Sequence, residues 1–269
     1  MGEIANGHLL LIGGAEDKVH KKLILKHFAE LAQKQKSYLT ILTSATSEPK
    51  KAGRKYKKVF EDLNLCEIKI LHISSRDAAE KKENVELILN SGSIFFTGGD
   101  QLKITSIIGG TPVNRAIHQA YENGALIAGT SAGCSAASDV MIIGGESDDS
   151  PNFKSVNLAP GLGLIEEVVI DQHFAQRGRI GRLLTAVSYN PHILGIGIDE
   201  DTAIEVNKQA EFKVLGSNAV TIIDGKGIKT SNISEINQEK ALAVTDVKLH
   251  ILPDGYKYDL QKRQVIKED

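Results

Sequence analysis

Apolar and polar positions alternate along the chain in two periods. Residues 8–12 form a short apolar run ending at Gly13 and Gly14, the pattern of a buried strand entering a tight turn. Residues 19–33 then carry Leu23, Ile24, Phe28, Leu31 and Ala32 at helical spacing. The same exchange recurs. Residues 38–43, 68–73, 93–97 and 125–128 read as strands, and residues 52–63, 78–89 and 113–122 as helices. Strand following helix in this way predicts an α/β fold with a largely parallel sheet and right-handed crossovers.

The regularity breaks at residues 144–163, a stretch rich in Gly, Asp, Ser, Asn and Pro. It predicts a long surface excursion suited to a lid or a substrate-binding loop. Beyond it, residues 164–170 and 193–198 read as strands and 180–188 as a helix. Residues 202–206, 211–214, 219–223 and 247–252 read as antiparallel strands joined by turns containing Lys, Asn and Gly. At 269 residues the expectation is one α/β domain over 1–269, with a β-rich part at about 202–269.

Composition narrows the class. With 41% hydrophobic and 25% charged residues and a formal net charge of -2, the chain has no signature of disorder, a coiled coil or a fibre. The charge balance gives no support to a nucleic-acid or membrane-surface role, and the lysines at positions 18–36 and 50–58 read as solvated helix faces. Cys66 and Cys134 make neither a disulfide framework nor a thiolate metal cluster. No apolar run approaches the length of a membrane span and no leader pattern opens the chain, so the expected location is cytoplasmic.

Candidate chemistry centres on residues 125–133, where an apolar strand meets a predicted helix through Gly129-Thr130-Ser131-Ala132-Gly133. Glycines on both sides allow a sharp bend that exposes a serine hydroxyl, and the following N–H can help hold an oxyanion. A second donor could come from Gly98-Gly99, at the end of a neighbouring strand. The competing reading is a purely structural glycine turn. Cys134 reads as a small core residue.

A serine nucleophile calls for a base with a pKa near neutrality. Of the eight histidines, His173 stands at a strand end in Asp171-Gln172-His173. His118 and His27 lie in amphipathic helices, and His192, after Pro191 in a turn, is a lesser rival. For the orienting carboxylate, Asp199-Glu200-Asp201 again follows a strand, and the pattern does not separate the three acids. Simple turn capping is the competing reading. No metal-ligand spacing occurs, so no cofactor is expected. Arg177, Arg179 and Arg182 could clamp a carboxylate bidentately or form a solvated helix face.

Segments 10–17, 95–101, 129–144, 171–183 and 195–206 together resemble the cyanophycinase family of serine peptidases, which also contains aspartyl dipeptidase. Residues 247–263 share the likeness, so it spans the full length. The resemblance implies a fold like the class I glutamine amidotransferases: a mostly parallel central sheet with helices on both faces, here with added antiparallel C-terminal strands. It also implies Ser131, His173 and Glu200 as catalytic residues, with the N–H groups of Gly99 and Ala132 as the oxyanion hole. Gln101, Asp171, Gln172, Arg177, Arg179 and Arg182 would lie around the substrate. That substrate would be cyanophycin, a poly-aspartate carrying arginine on each side-chain carboxyl, and the product the β-aspartyl-arginine dipeptide. A homodimer is implied as well. Matching of charges adds Asp148 or Asp149 as acids for the guanidinium groups. Two other readings are a dipeptidase for short aspartyl or isoaspartyl peptides and a metabolite-binding protein that lost turnover.

Overall fold

Strand β1 (His8–Ile12) alternates its side chains between two cores, with Leu9 and Leu11 in one and Leu10 and Ile12 in the other. A strand buried on both faces belongs inside a sheet, and β1 lies there. The computed structural model describes residues 7–35, 37–65, 67–145, 151–235 and 240–267. On one side of β1 run β5 (Leu126–Thr130), β4 (Ser93–Phe96), β2 (Leu39–Leu42) and β3 (Ile68–Leu71), all parallel. On the other side β10 (Thr202–Val206), β11 (Glu211–Gly216), β14 (Lys257–Asp259) and β15 (Gln264–Ile266) extend the same sheet antiparallel.

Helices α1 (Leu23–Gln33) and α2 (Pro49–Asp62) cover one face, where Phe28, Phe60, Tyr56 and Phe95 form an aromatic cluster. The other face is covered by α3 (Arg76–Glu80), α4 (Lys82–Leu89), α5 (Gln101–Ile108) and α6 (Pro112–Glu122), through residues such as Ala79, Ile88, Ile104 and Ile117. The short α7 (Ala132–Ser135) follows β5 directly. A hairpin of β6 (Val140–Gly144) and β7 (Asn157–Pro160) comes next.

A second, four-stranded sheet carries β8 (Val168–Gln172) and β9 (Leu194–Ile198) as parallel neighbours, then β12 (Ala219–Asp224) and β13 (Lys248–Pro253) antiparallel. Its inner residues Ile170, Ile196, Ile198 and Ile222 join the core of the large sheet. Its outer residues Val169 and Ile223 pack with Leu183 and Val187 of α8 (Ile180–Tyr189). The strands beyond residue 202 therefore divide between the two sheets.

Several local expectations are corrected. The helix expected from residue 19 starts at Leu23, because the Asp17 carboxylate accepts the N–H groups of Val19, His20 and Lys22 and winds that segment into a turn. The helix over 78–89 breaks at Lys81, whose backbone is extended. Helix α5, capped by Asp100, and strands β14 and β15 lie where no element was expected. The strand expected over 164–170 runs from Val168 to Gln172. The stretch 144–163 is no bare excursion, since β7 returns along β6 after a 3₁₀ turn at Phe153–Ser155. Its residues 146–150, with the candidates Asp148 and Asp149, lie outside the described residues.

Candidate active site

Strand β5 ends at Thr130, and Ser131 turns the chain into α7 with φ 52 and ψ -109. A non-glycine residue in that region is held there by its surroundings at a cost of about 1–3 kcal/mol. The Ser131 N–H donates to Ile12 O at 2.9 Å, tying the turn to β1, and α7 rests directly on β5. A β-carbon at Gly129 would meet Gly133 O at 2.4 Å, so only glycine allows that approach. The Ser131 hydroxyl is left partly exposed at the sheet edge. On the adjoining strand end, Gly98 lies beside it: a β-carbon there would be 3.3 Å from Ser131 Cβ.

His173 leaves β8 with φ 50, and its N–H donates to Gly13 O at 2.8 Å. Its Nε2 lies 3.0 Å from Ser131 Oγ, and its Nδ1 lies 2.6 Å from Glu200 Oε1. Hydroxyl, imidazole and carboxylate thus stand in one line, drawn from three strand ends. With the Nδ1 proton held by Glu200, Nε2 is free to accept the serine proton. Burial holds the His173 pKa below its ordinary 6.5. The Glu200 contact works against that shift, and the cations of Arg177 and Arg179 add to it. The imidazole is therefore neutral near pH 7, the state a proton acceptor needs.

The three consecutive acids have three different tasks. Asp199 accepts the N–H of Ala175 at 2.9 Å and of Ala219 at 3.3 Å. Asp201 accepts the N–H of Asp17 at 2.9 Å and the Ser217 hydroxyl at 2.5 Å. Only Glu200 reaches the imidazole. Its own backbone is fixed by Gln176, whose Oε1 accepts the Glu200 N–H at 3.0 Å, and by Asn218, whose Nδ2 donates to Glu200 O at 2.8 Å. Neither residue carried a signal in the sequence, because each acts through side chains that only the fold brings near.

The residues expected around a substrate separate into three groups. Gln172 reaches the serine, with Oε1 3.4 Å from Ser131 Oγ, while Arg177 is exposed beside His173. Asp171 and Arg182 are buried against each other, with Arg182 Nε 2.6 Å from Asp171 Oδ2 and a second bond from Arg182 to Oδ1. Arg179 adds a bond to Asp171 Oδ1 at 3.2 Å and donates to Gln172 O. Its pKa is lowered to about 10 by burial, with Asp171 opposing that shift. Gln101 opens α5 and donates to Ile142 O at 2.7 Å, joining the Gly98-Gly99 turn to β6.

The other histidines stand apart from the serine. His192 faces Glu167 at 3.3 Å on the surface, His27 pairs with Glu205 at 2.8 Å, and His118 contacts Leu162 O at 2.7 Å. Cys134 is fully buried, and burial pushes its thiol well above the usual range. Among the described residues no group of three or more His, Cys, Asp or Glu is arranged to hold a metal ion, and no helix is long and apolar enough to cross a membrane.

Known proteins resemble this chain in sequence and in fold. The model of peptidase family S51 matches residues 9–214. The chain is 41% identical over 259 residues to a cyanophycinase of Nostoc sp., covering 96% of this chain and 87% of that protein. It is 39% identical over 265 residues to a cyanophycinase of Geminocystis herdmanii, covering 98% and 97%. Among solved structures, a peptidase from an acI-B1 actinobacterium shares the fold with a TM-score of 0.69 at 22% identity, covering 96% of this chain and 98% of that one. A putative peptidase E from Listeria monocytogenes aligns with a TM-score of 0.51 at 17% identity, over 78% and 98%. The chain belongs to peptidase family S51 and is a serine-type, cyanophycinase-like hydrolase.

Proposed function

We propose that the chain hydrolyses the poly-aspartate backbone of cyanophycin and releases β-aspartyl-arginine dipeptides through an acyl-enzyme on Ser131. The observation that carries this reading is the Ser131–His173–Glu200 line, with contacts of 3.0 and 2.6 Å. His173 Nε2 takes the hydroxyl proton as Ser131 Oγ attacks the backbone carbonyl of an aspartate, and Glu200 steadies the imidazolium. The N–H groups of Gly99 and Ala132 stabilise the oxyanion. His173 returns its proton to the departing amine, and water, deprotonated by the same imidazole, then releases the acyl group.

The identity to curated cyanophycinases supports the choice of polymer. The cations beside the serine suit a substrate that carries carboxylates. Arg177 is exposed for a carboxylate, Gln172 stands beside the reacting hydroxyl, and Gln101 fixes the oxyanion turn. Asp171, Arg179 and Arg182 support that wall from beneath. The reading includes a homodimer in the cytoplasm.

Incubation of the purified protein with cyanophycin, beside Ser131→Ala and a set of α- and β-aspartyl dipeptides, tests it. Release of the β-linked dipeptide by the native chain and none by the variant is the expected result. Cleavage confined to short dipeptides would assign the chain to the dipeptidases instead. Full activity in the variant would remove Ser131 as nucleophile, and light scattering reads the oligomeric state.

A further inference from the structure

Beneath the serine turn lies a carboxylate that the proposed chemistry does not use. Glu16 is 3% exposed. A buried carboxylate is costly unless every oxygen is bonded. Here the two oxygens are divided between separate tasks. Oε1 accepts the Tyr56 hydroxyl at 2.5 Å and faces Lys18 Nζ at 2.8 Å, while Oε2 accepts the Thr130 hydroxyl at 2.6 Å. Burial first, then the Glu16 charge, raises the Tyr56 pKa, so its phenol stays protonated and remains a donor.

Thr130 is the residue before Ser131, so its side-chain bond acts one peptide from the reacting hydroxyl. Glu16 stands two residues beyond Gly14, and the turn it follows holds the other half of the site: Gly13 O accepts the His173 N–H, and Gly14 O accepts the Asp201 N–H at 2.9 Å. The strained Ser131 backbone needs neighbours that over-determine it. Of the bonds to Glu16, the one from Thr130 is attached to that backbone. We propose that Glu16 is a positioning residue for the nucleophile, holding the serine turn through the Thr130 hydroxyl in register with the segment that carries His173.

The role rests on Ser131 being the nucleophile, so both are tested together. Thr130→Val and Tyr56→Phe each remove one hydrogen bond from the same carboxylate; the Tyr56 hydroxyl also contacts the Thr130 side chain, yet Tyr56→Phe leaves the Thr130–Glu16 bond, the one joined to Ser131, in place. Turnover of cyanophycin, labelling of Ser131 by phenylmethylsulfonyl fluoride and melting temperature are measured for each. Thr130→Val is expected to lower kcat and the labelling rate by about tenfold or more with KM within about twofold, since a small misplacement of a reacting group is costly. Thr130→Ser, which keeps the hydroxyl, restores both rates. Tyr56→Phe lowers the melting temperature and leaves labelling near native.

Glu16→Gln is the second arm if Thr130→Val does not fold, because its amide keeps an acceptor yet turns a donor toward one hydroxyl. It is expected to show the same loss of kcat and labelling. Native labelling in both Thr130→Val and Glu16→Gln would overturn the role, as would losses in Tyr56→Phe equal to those in Thr130→Val. The labelling readout does not depend on the substrate, so failure on cyanophycin with labelling intact rejects only the polymer. Activity in Ser131→Ala rejects the nucleophile and Glu16 with it.

Discussion

Gly14 lies against the imidazole of His173 so closely that a β-carbon on it would stand 2.4 Å from Cε1 and 2.5 Å from Nε2 of the ring. Its φ of +101 is also one that L side chains rarely adopt. Gly14→Ala is therefore expected to push the ring off the serine and lower kcat/KM by about 100-fold or more, with the fold kept. Steady-state kinetics beside circular dichroism checks this, and a near-native rate would show that the ring has room to move.

The pH profile reports on the same ring. A proton acceptor must be neutral, and burial holds His173 below the ordinary 6.5. The acid limb of kcat/KM is expected below that value. Arg177 lowers the pKa by its charge, so Arg177→Met removes a repulsion to the imidazolium and moves the limb to higher pH. A shift to lower pH, or none, would contradict the electrostatic assignment.

Substituting the three acids one at a time separates their tasks. Glu200→Gln leaves the imidazole without its carboxylate and is expected to cost roughly 10²–10⁴ in kcat. Asp199→Asn weakens the bonds to Ala175 and Ala219 and acts first on stability, costing about 1–3 kcal/mol by urea titration. Equal losses of kcat in the two variants would assign the imidazole contact to the segment as a whole.

Asp171 is buried with Arg179 and Arg182 upon it. Asp171→Asn strands two cations away from water, and the expected cost is about 3–5 kcal/mol of stability. Guanidinium unfolding measures it. A variant as stable as the native chain would mean that water or substrate groups already serve these arginines.

Much of this site was legible before its geometry. Strand β1 with Gly13-Gly14, strand β4 with Gly98-Gly99 and strand β5 with Ser131 stand out because an apolar run that closes on glycine marks a buried strand bending sharply at the sheet edge. Glu200 did not stand out from Asp199 and Asp201, because what separates them is Gln176 and Asn218, the latter arriving on a later part of the chain. Helix α5 was missed although Asp100 caps it, since its Ile104, Ile107 and Ile108 fill barely two turns. The sheet to which β8 and β9 belong was not legible either. Their apolar runs suit any two-sided burial, and only the pairing with β12 and β13 assigns them.

That second sheet makes the site a joint. The serine is mounted on one sheet, and the histidine and glutamate follow neighbouring parallel strands of the other, Glu200 on the turn that leads back into β10. The 2.6 Å imidazole–carboxylate contact joins neighbouring strand ends, whereas the 3.0 Å hydroxyl–imidazole contact spans the seam. A half-assembled chain with either sheet alone is therefore silent, and the bonds from the His173 and Asp201 N–H groups to Gly13 O and Gly14 O pin the two sheets together at this point. The serine thus meets its base only where the two sheets meet, and a nascent chain stays inert until they do.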